Sequence, residues 1–399
     1  MTRFSALPRR RLVAVLAAAL VAVGAGVAGA ALGASDSATA PPKRPLAQAV
    51  LAALQAPPVE GVTARIRFTN NLLPAGSLPK GTTLPFGASA DGRLWLRGDG
   101  RLRLDIHSDA GDAEVTYDGT RLRIYDAGSN TVSSFVLDLP SLTGAGTPGG
   151  AAPGGGAGLG ALGALAGKLG PLMSSLNISE PVPSTTAGRP SYTVRVSPKD
   201  DGGLLGAAEV AFDADHAVPL RAAVYEQGES DPVLELAATE VEYGPVAEAD
   251  VAARPHPGAK VVDIDPRTLP GHPSAGAARS VNGVAAVRRA VDFPLAAPAE
   301  VAGLERRSFH LIRNGRDTGA LGVYGRGLGA ILVFETKGTA GSAPLQGLKL
   351  PEVNIDGRTG TELATALGTI VTFERDGVRY TVAGSVPPVA AENAARALR

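Results

Sequence analysis

The chain has 399 residues, enough for two domains with separate cores at about 100 to 200 residues each. Lys and Arg balance Asp and Glu at 38 each, so no net field draws the protein to nucleic acid, which is not expected among its partners. Cysteine is absent, which excludes disulfides, thiol catalysis, a cysteine zinc site and N-terminal acylation at a lipobox.

In chain order, Arg3, Arg9, Arg10 and Arg11 precede the uncharged run "LVAVLAAALVAVGAGVAGAALGA", where Ala28, Ala30 and Ala34 offer cleavage sites. Residues 1–34 read as a signal peptide or, if uncut, an N-terminal anchor with its arginines on the cytoplasmic side. The rest of the chain is expected to be exported and to work in a periplasmic or other extracytoplasmic space, where ATP and NAD are scarce. A spacer, 35–44, leads into "PLAQAVLAALQ", whose Leu46, Val50, Leu51 and Leu54 share one helical face.

Period-two alternation follows. In "VTARIRFT" Ile66 and Phe68 oppose Arg65 and Arg67, and in "GRLWLR" Leu94 and Leu96 oppose Arg93, Trp95 and Arg97. In "RLRLDI" Leu102, Leu104 and Ile106 oppose Arg101 and Arg103, and in "TRLRIYD" Leu122 and Ile124 oppose Arg121, Arg123 and Tyr125. "GDG" at 98–100 and Asp118-Gly119 are hairpin turns. Further strands are expected in "NTVSSFVLDL", "SYTVRV", "GAAEVAFD", "LRAAVYE" and "VLELAATEVEY". So many consecutive antiparallel strands with one apolar face form a large curved sheet, and the uncovered part of that face is a candidate binding surface. After the Pro/His/Gly-rich linker "RPHPGAKVVDIDPRTLPGHPSAG" come a helix in "SVNGVAAVRRAV", strands in "RSFHLIR", "GALGVYG" and "AILVFETK", the hairpin "TIVTFERDGVRYTVAG" and a closing helix "VAAENAARALR". These read as a smaller α+β module.

Inside the first unit lies a Gly/Ala/Leu-rich insert, 143–176. Its "GLGALG" satisfies G-x-G-x-x-G, yet "TGAGTPGGAAPGG" before it cannot be the strand that a dinucleotide site requires. The near-match to a P-loop fails because Lys168 is followed by Leu169, which has no hydroxyl for magnesium. The large residues, Leu162, Leu165, Leu169, Leu172 and Met173 among them, recur at helical spacing, although the interspersed glycines each weaken a helix by about 1 kcal/mol. They read as a lid that needs an apolar partner, with a disordered insert as the alternative, above all for 143–157. The five histidines form no metal motif, and "GHPSAG" misses the serine-hydrolase elbow, so no catalytic residue, metal or cofactor is expected. The arginines on the polar face offer either a basic field for anionic headgroups or a solvated face whose stems cover Trp95 and Tyr125.

The order of these elements, and above all "YDGTRLRIYDAGSNTV" and "YTVRVSPKD", resembles the periplasmic outer-membrane lipoprotein carriers and their envelope-stress sensor relatives over about residues 45–262. The resemblance implies a half-open barrel with a helical lid around a cavity for acyl chains, and no catalysis. "VDFPLAAP", "TFERDGVRYTVAG" and the last helix resemble the small domain that follows such a sheet in envelope-stress and sporulation proteins. The insert and the appended module depart from the carrier pattern, which lends weight to a sensor.

The expected fold is therefore α+β: a large curved antiparallel half-barrel sheet with a helical lid over 45–262, a linker over 263–279, and a smaller α+β domain over 280–399. The candidate cavity residues are Ile66, Phe68, Leu94, Leu96, Leu102, Leu104, Ile106, Leu122 and Ile124, with the lid leucines and Met173. The expected ligand is the acyl chain of a lipid or lipoprotein. In a sensor, the C-terminal domain would meet a membrane partner such as an anti-sigma factor; a structural envelope protein with a filled core is the third possibility.

Overall fold

The computed structural model describes residues 39–56, 59–72, 89–109, 111–136, 176–199, 202–264, 281–314, 317–338 and 350–399. The first strands are β1 (Gly61–Asn70), β2 (Ala90–Arg97), β3 (Leu102–His107), β4 (Ala113–Tyr117), β5 (Arg121–Asp126) and β6 (Thr131–Val136). After the insert come β7 (Leu176–Ile178), β8 (Val182–Thr186), β9 (Arg189–Pro198), β10 (Leu205–Asp213), β11 (Pro219–Glu226), β12 (Pro232–Tyr243) and β13 (Lys260–Ile264). Together they make one 13-stranded sheet, in which β1 lies centrally between β2 and β12. One wing runs outward from β1 through β2 to β6, and the other from β12 through β11, β10 and β9 to β7.

Alternation sets the layering. Val62, Ala64, Ile66 and Phe68 of β1, Leu102, Leu104 and Ile106 of β3 and Leu122 and Ile124 of β5 are buried in one apolar cluster on one face. The predicted turn at Asp118-Gly119 forms as read: Gly119 takes a φ of 98°, and the Asp118 carboxylate accepts the N–H groups of Thr120 and Arg121 at 3.1 and 2.8 Å.

The second unit holds β14 (Glu300–Val301), β15 (Leu304–Asn314), β16 (Asp317–Tyr324), β17 (Ile331–Lys337), β18 (Glu352–Ile355), β19 (Arg358–Thr365), β20 (Gly368–Arg375) and β21 (Val378–Gly384) in an 8-stranded sheet. Among the described residues four helices accompany the sheets: α1 (Leu46–Gln55), α2 (Glu248–Val251), α3 (Val284–Arg288) and α4 (Pro388–Arg396). Helix α4 lays Ala391, Ala394 and Ala395 onto Val371, Phe373 and Val382 of the smaller sheet, all buried. Ser385 joins the units by accepting the N–H of Leu204 at its carbonyl (2.9 Å) and that of Leu205 at its hydroxyl (3.1 Å). A second joint is the Ala366 N–H to the Leu72 carbonyl, 3.2 Å.

Three expectations change. Helix α1 forms, but it buries Ala49 and leaves Val50 and Leu51 about half exposed, 46% and 55%, so the alanine side is the inner one. The large sheet is not purely antiparallel: Lys260–Ile264, drawn from the stretch read as linker, pairs parallel with β6 from Lys260↔Thr131 to Ile264↔Phe135. An open strand edge with unpaired N–H and C=O groups attracts such an addition. Third, Arg103 is not on a wet face, for reasons given below. Residues 143–175 of the insert read as the lid lie outside the described residues, and its last residue, Leu176, opens β7.

Candidate functional site

The curvature of the large sheet leaves a cleft between its two wings, with a cavity volume of about 80 Å³, or about 850 Å³ when the open solvent around it is counted. One side is built by Val62, Ala64 and Ile66 of β1, Leu94 and Leu96 of β2, Leu102 and Leu104 of β3 and Val115 of β4. The other is built by Val218, by Pro219, Leu220, Arg221 and Ala222 of β11, and by Leu236, Ala238 and Val241 of β12. Every lining residue but Arg221 is apolar.

Of the residues chosen from sequence, Ile66, Leu94, Leu96, Leu102 and Leu104 line this cleft. Phe68, Ile106, Leu122 and Ile124 are buried in the surrounding cluster and do not line it. Leu162, Leu165, Leu169, Leu172 and Met173 lie outside the described residues. The whole β11–β12 wall escaped sequence reading. Its signal in β12 is interrupted: Arg65 pairs with Glu240 while Ile66 pairs with Ala238, so the pairing skips Thr239. This bulge flips the alternation, and Leu236 and Ala238 before it share a face with Val241 and Tyr243 after it.

Register carries the apolar floor beyond the cleft. Phe68 pairs with Leu236, Leu236 with Ala222, Ala222 with Val210 and Val210 with Val194, and directly paired residues share a face. Val210 of β10 is 38% exposed, whereas Ile106 and Val115 of the opposite wing are 1% exposed. The β9–β12 wing is thus the open one.

Polar groups near the cleft are already engaged. The Arg221 guanidinium reaches Glu235, Glu209 (3.0 Å) and the Tyr225 hydroxyl (2.7 Å). Burial works against its charge, but these hydrogen bonds outweigh that and hold its pKa above the usual arginine value. At the cleft's end the Tyr243 hydroxyl donates to the buried Asp213 at 2.9 Å. Asp213 also accepts Arg189 Nε and the N–H groups of Asp215 and His216. Burial alone would raise its pKa; the bonds from His216, Arg189, Asp215 and Tyr243 bring it below the ordinary carboxylate value. Among the described residues no group of His, Asp and Glu is placed to hold a metal.

The arginine face is not a basic field. Arg65 pairs with Glu240, Arg67 with Asp91, Arg97 and Arg101 with Asp99, Arg121 with Asp263 and Arg123 with Asp118. Arg93 lies over the Trp95 ring at 5.1 Å. Arg103, 2% exposed, binds Asp105 through two bonds of 2.8 Å and Glu114 at 3.0 Å. It is buried because the segment leading to β13 crosses over it: Arg254 approaches Asp105 at 3.5 Å, and the His256 ring stacks on Tyr125 at 3.5 Å.

No helix among the described residues is long and apolar enough to cross a membrane. No protein-family model matches the sequence, and no curated protein is found as a relative. Among solved structures, the chain is similar to the complex of MucA and MucB from Pseudomonas aeruginosa, at 18% identity over 88% of this chain and 95% of that one, with a TM-score of 0.40. It is likewise similar to MucB in complex with MucA(peri), at 17% identity over 89% and 97% of the two chains and a TM-score of 0.38. A domain of an outer membrane lipoprotein-sorting protein from Vibrio parahaemolyticus matches over 48% of this chain and 88% of its own, at 10% identity and a TM-score of 0.19.

Proposed function

We propose that this is an exported, non-enzymatic protein that takes acyl chains of a lipid or lipoprotein into the cleft between β1–β4 and β11–β12, as a carrier or chaperone. The observation that carries the reading is the lining itself: an open cleft, apolar throughout except for Arg221, whose charge is spent on Glu209 and Glu235. Such a surface gives nothing to a polar substrate. An acyl chain gains about 0.8 kcal/mol for each methylene it buries, before the loss from ordering the chain. No polar anchor is needed for useful affinity.

Binding of a fluorescent palmitate analogue to the full chain tests the reading. Saturable uptake is expected, with at least about a tenfold loss, roughly 1.4 kcal/mol, when Ala238→Phe fills the cleft floor. An absence of uptake, or uptake unaffected by this substitution, would overturn it.

A second reading, a regulatory sensor, is favoured by the C-terminal unit. It has its own apolar core and is hydrogen-bonded to the cleft-bearing sheet through Ser385. In this reading the cleft reports stray lipid and the unit contacts a membrane protein such as an anti-sigma factor. Capture of an envelope membrane protein by the full chain, changed when the palmitate analogue is added, would favour the sensor; capture indifferent to the probe would favour the carrier.

A further inference from the structure

The segment 254–264 lies like a bound peptide, its first part on the polar face of the sheet and Lys260–Ile264 at the sheet edge. Its Arg254 N–H donates to Glu114 at 3.2 Å, and His256 stacks flat on Tyr125 at an interplanar angle of 9°. The Asn130 side chain donates to the Gly258 carbonyl at 3.2 Å, the Lys260 N–H donates to the Asn130 carbonyl at 2.9 Å, and β13 then zips parallel onto β6. Pro255 and Pro257 fix the backbone in between, which lowers the entropy lost when the strap docks.

The strap's anchors have a second side. Successive residues of a strand point to opposite faces, so each anchor in β3 and β4 alternates with a residue of the cleft wall. Leu102 and Leu104 line the cleft while Arg103 and Asp105 face the strap; Val115 lines it while Glu114 holds Arg254. Arg103, Asp105 and Glu114 are 2, 9 and 8% exposed, so a shift of either strand must be answered by the charges packed beneath the strap.

We propose that the strap Arg254–Ile264 is coupled to the cleft through the sheet: a ligand that moves β3 and β4 from the cleft side changes how firmly the strap is held on the other. This rests on the acyl-chain reading above and specifies how occupancy of that cleft is regulated and reported. Coupling of this kind is reciprocal, so undocking the strap must alter the affinity of the cleft by the factor by which the ligand alters docking.

Amide exchange measured by mass spectrometry on the full chain, with and without saturating palmitate analogue, tests the proposal. Exchange across 258–264 is expected to change by at least about fivefold, while the β8–β9 hairpin stays constant. His256→Ala, outside the cleft, should shift the affinity for the probe by a similar factor. Asn130→Ala serves as a second strap variant should His256→Ala fold poorly. Probe that binds while strap exchange and variant affinities stay unchanged would overturn the coupling and leave the acyl reading standing. A chain that takes up no probe removes both.

Discussion

The two sheets of this protein are written in the same alternating code and end differently. In the smaller one, Ile331, Val333, Val371 and Val382 are fully buried because helix α4, with its small alanines, and the Phe293–Val301 segment cover their face. In the larger one, Leu94, Leu236, Ala238 and Val241 are only partly buried, and no described helix lies over them as α4 does over the smaller sheet. Alternation decides which face of a sheet is apolar; whether that face becomes a core or a cleft depends on what the chain supplies to cover it.

That contrast can be broken or sharpened by substitution. Ile331→Ala in the sealed core should lower unfolding stability by about 2–5 kcal/mol, because the cavity cannot collapse around it. Calorimetry of the full chain would show it as a downward shift of one transition.

Glu335 is the flaw in the same sealed sheet. It is fully buried, its Oε2 accepts only the Ala296 N–H at 2.8 Å, and its Oε1 has no partner. Burial pushes its carboxyl up to about 8, against the opposing pull of the Ala296 bond and the charge of Arg288. The folded form therefore keeps a proton that the unfolded chain gives up near the ordinary glutamate value. The resulting stability is full at acid pH and is lost as pH climbs from about 4.3 towards 8. Glu335→Gln should flatten this slope and stabilise the unit at pH 8 by a few kcal/mol, as read by chemical denaturation at several pH values.

On the cleft side, Leu94→Ala should reduce stability by only about 1 kcal/mol, since its side chain already borders open space, yet weaken acyl binding. Smallest of all, Arg65→Ala removes an ion pair whose partners are both 66% exposed and should change stability by at most about 0.5 kcal/mol in a thermal melt.

Much of the fold was legible. The strands of β1–β6, the turns at Asp118-Gly119 and Asp376-Gly377 and the closing helix follow from alternation and turn chemistry. The site was half legible. The β1–β3 wall has unbroken alternation, so Leu94, Leu96, Leu102 and Leu104 could be picked out. The β12 wall could not, because the bulge at Thr239 reverses the pattern midway. Curvature also hid the difference between Leu104, which faces the cleft, and Ile106, two residues on along the same face, which packs behind it. The strap was read as linker because Pro, His and Gly signal a loop; nothing local shows that the edge of β6 or the ring of Tyr125 awaits it.

Lipid extraction and mass spectrometry of the purified full-length chain test the central claim most directly. The account predicts an acyl lipid in near-stoichiometric amount, depleted in the Ala238→Phe chain. A chain free of lipid that also refuses added fatty acid, or equal lipid in both chains, would contradict it.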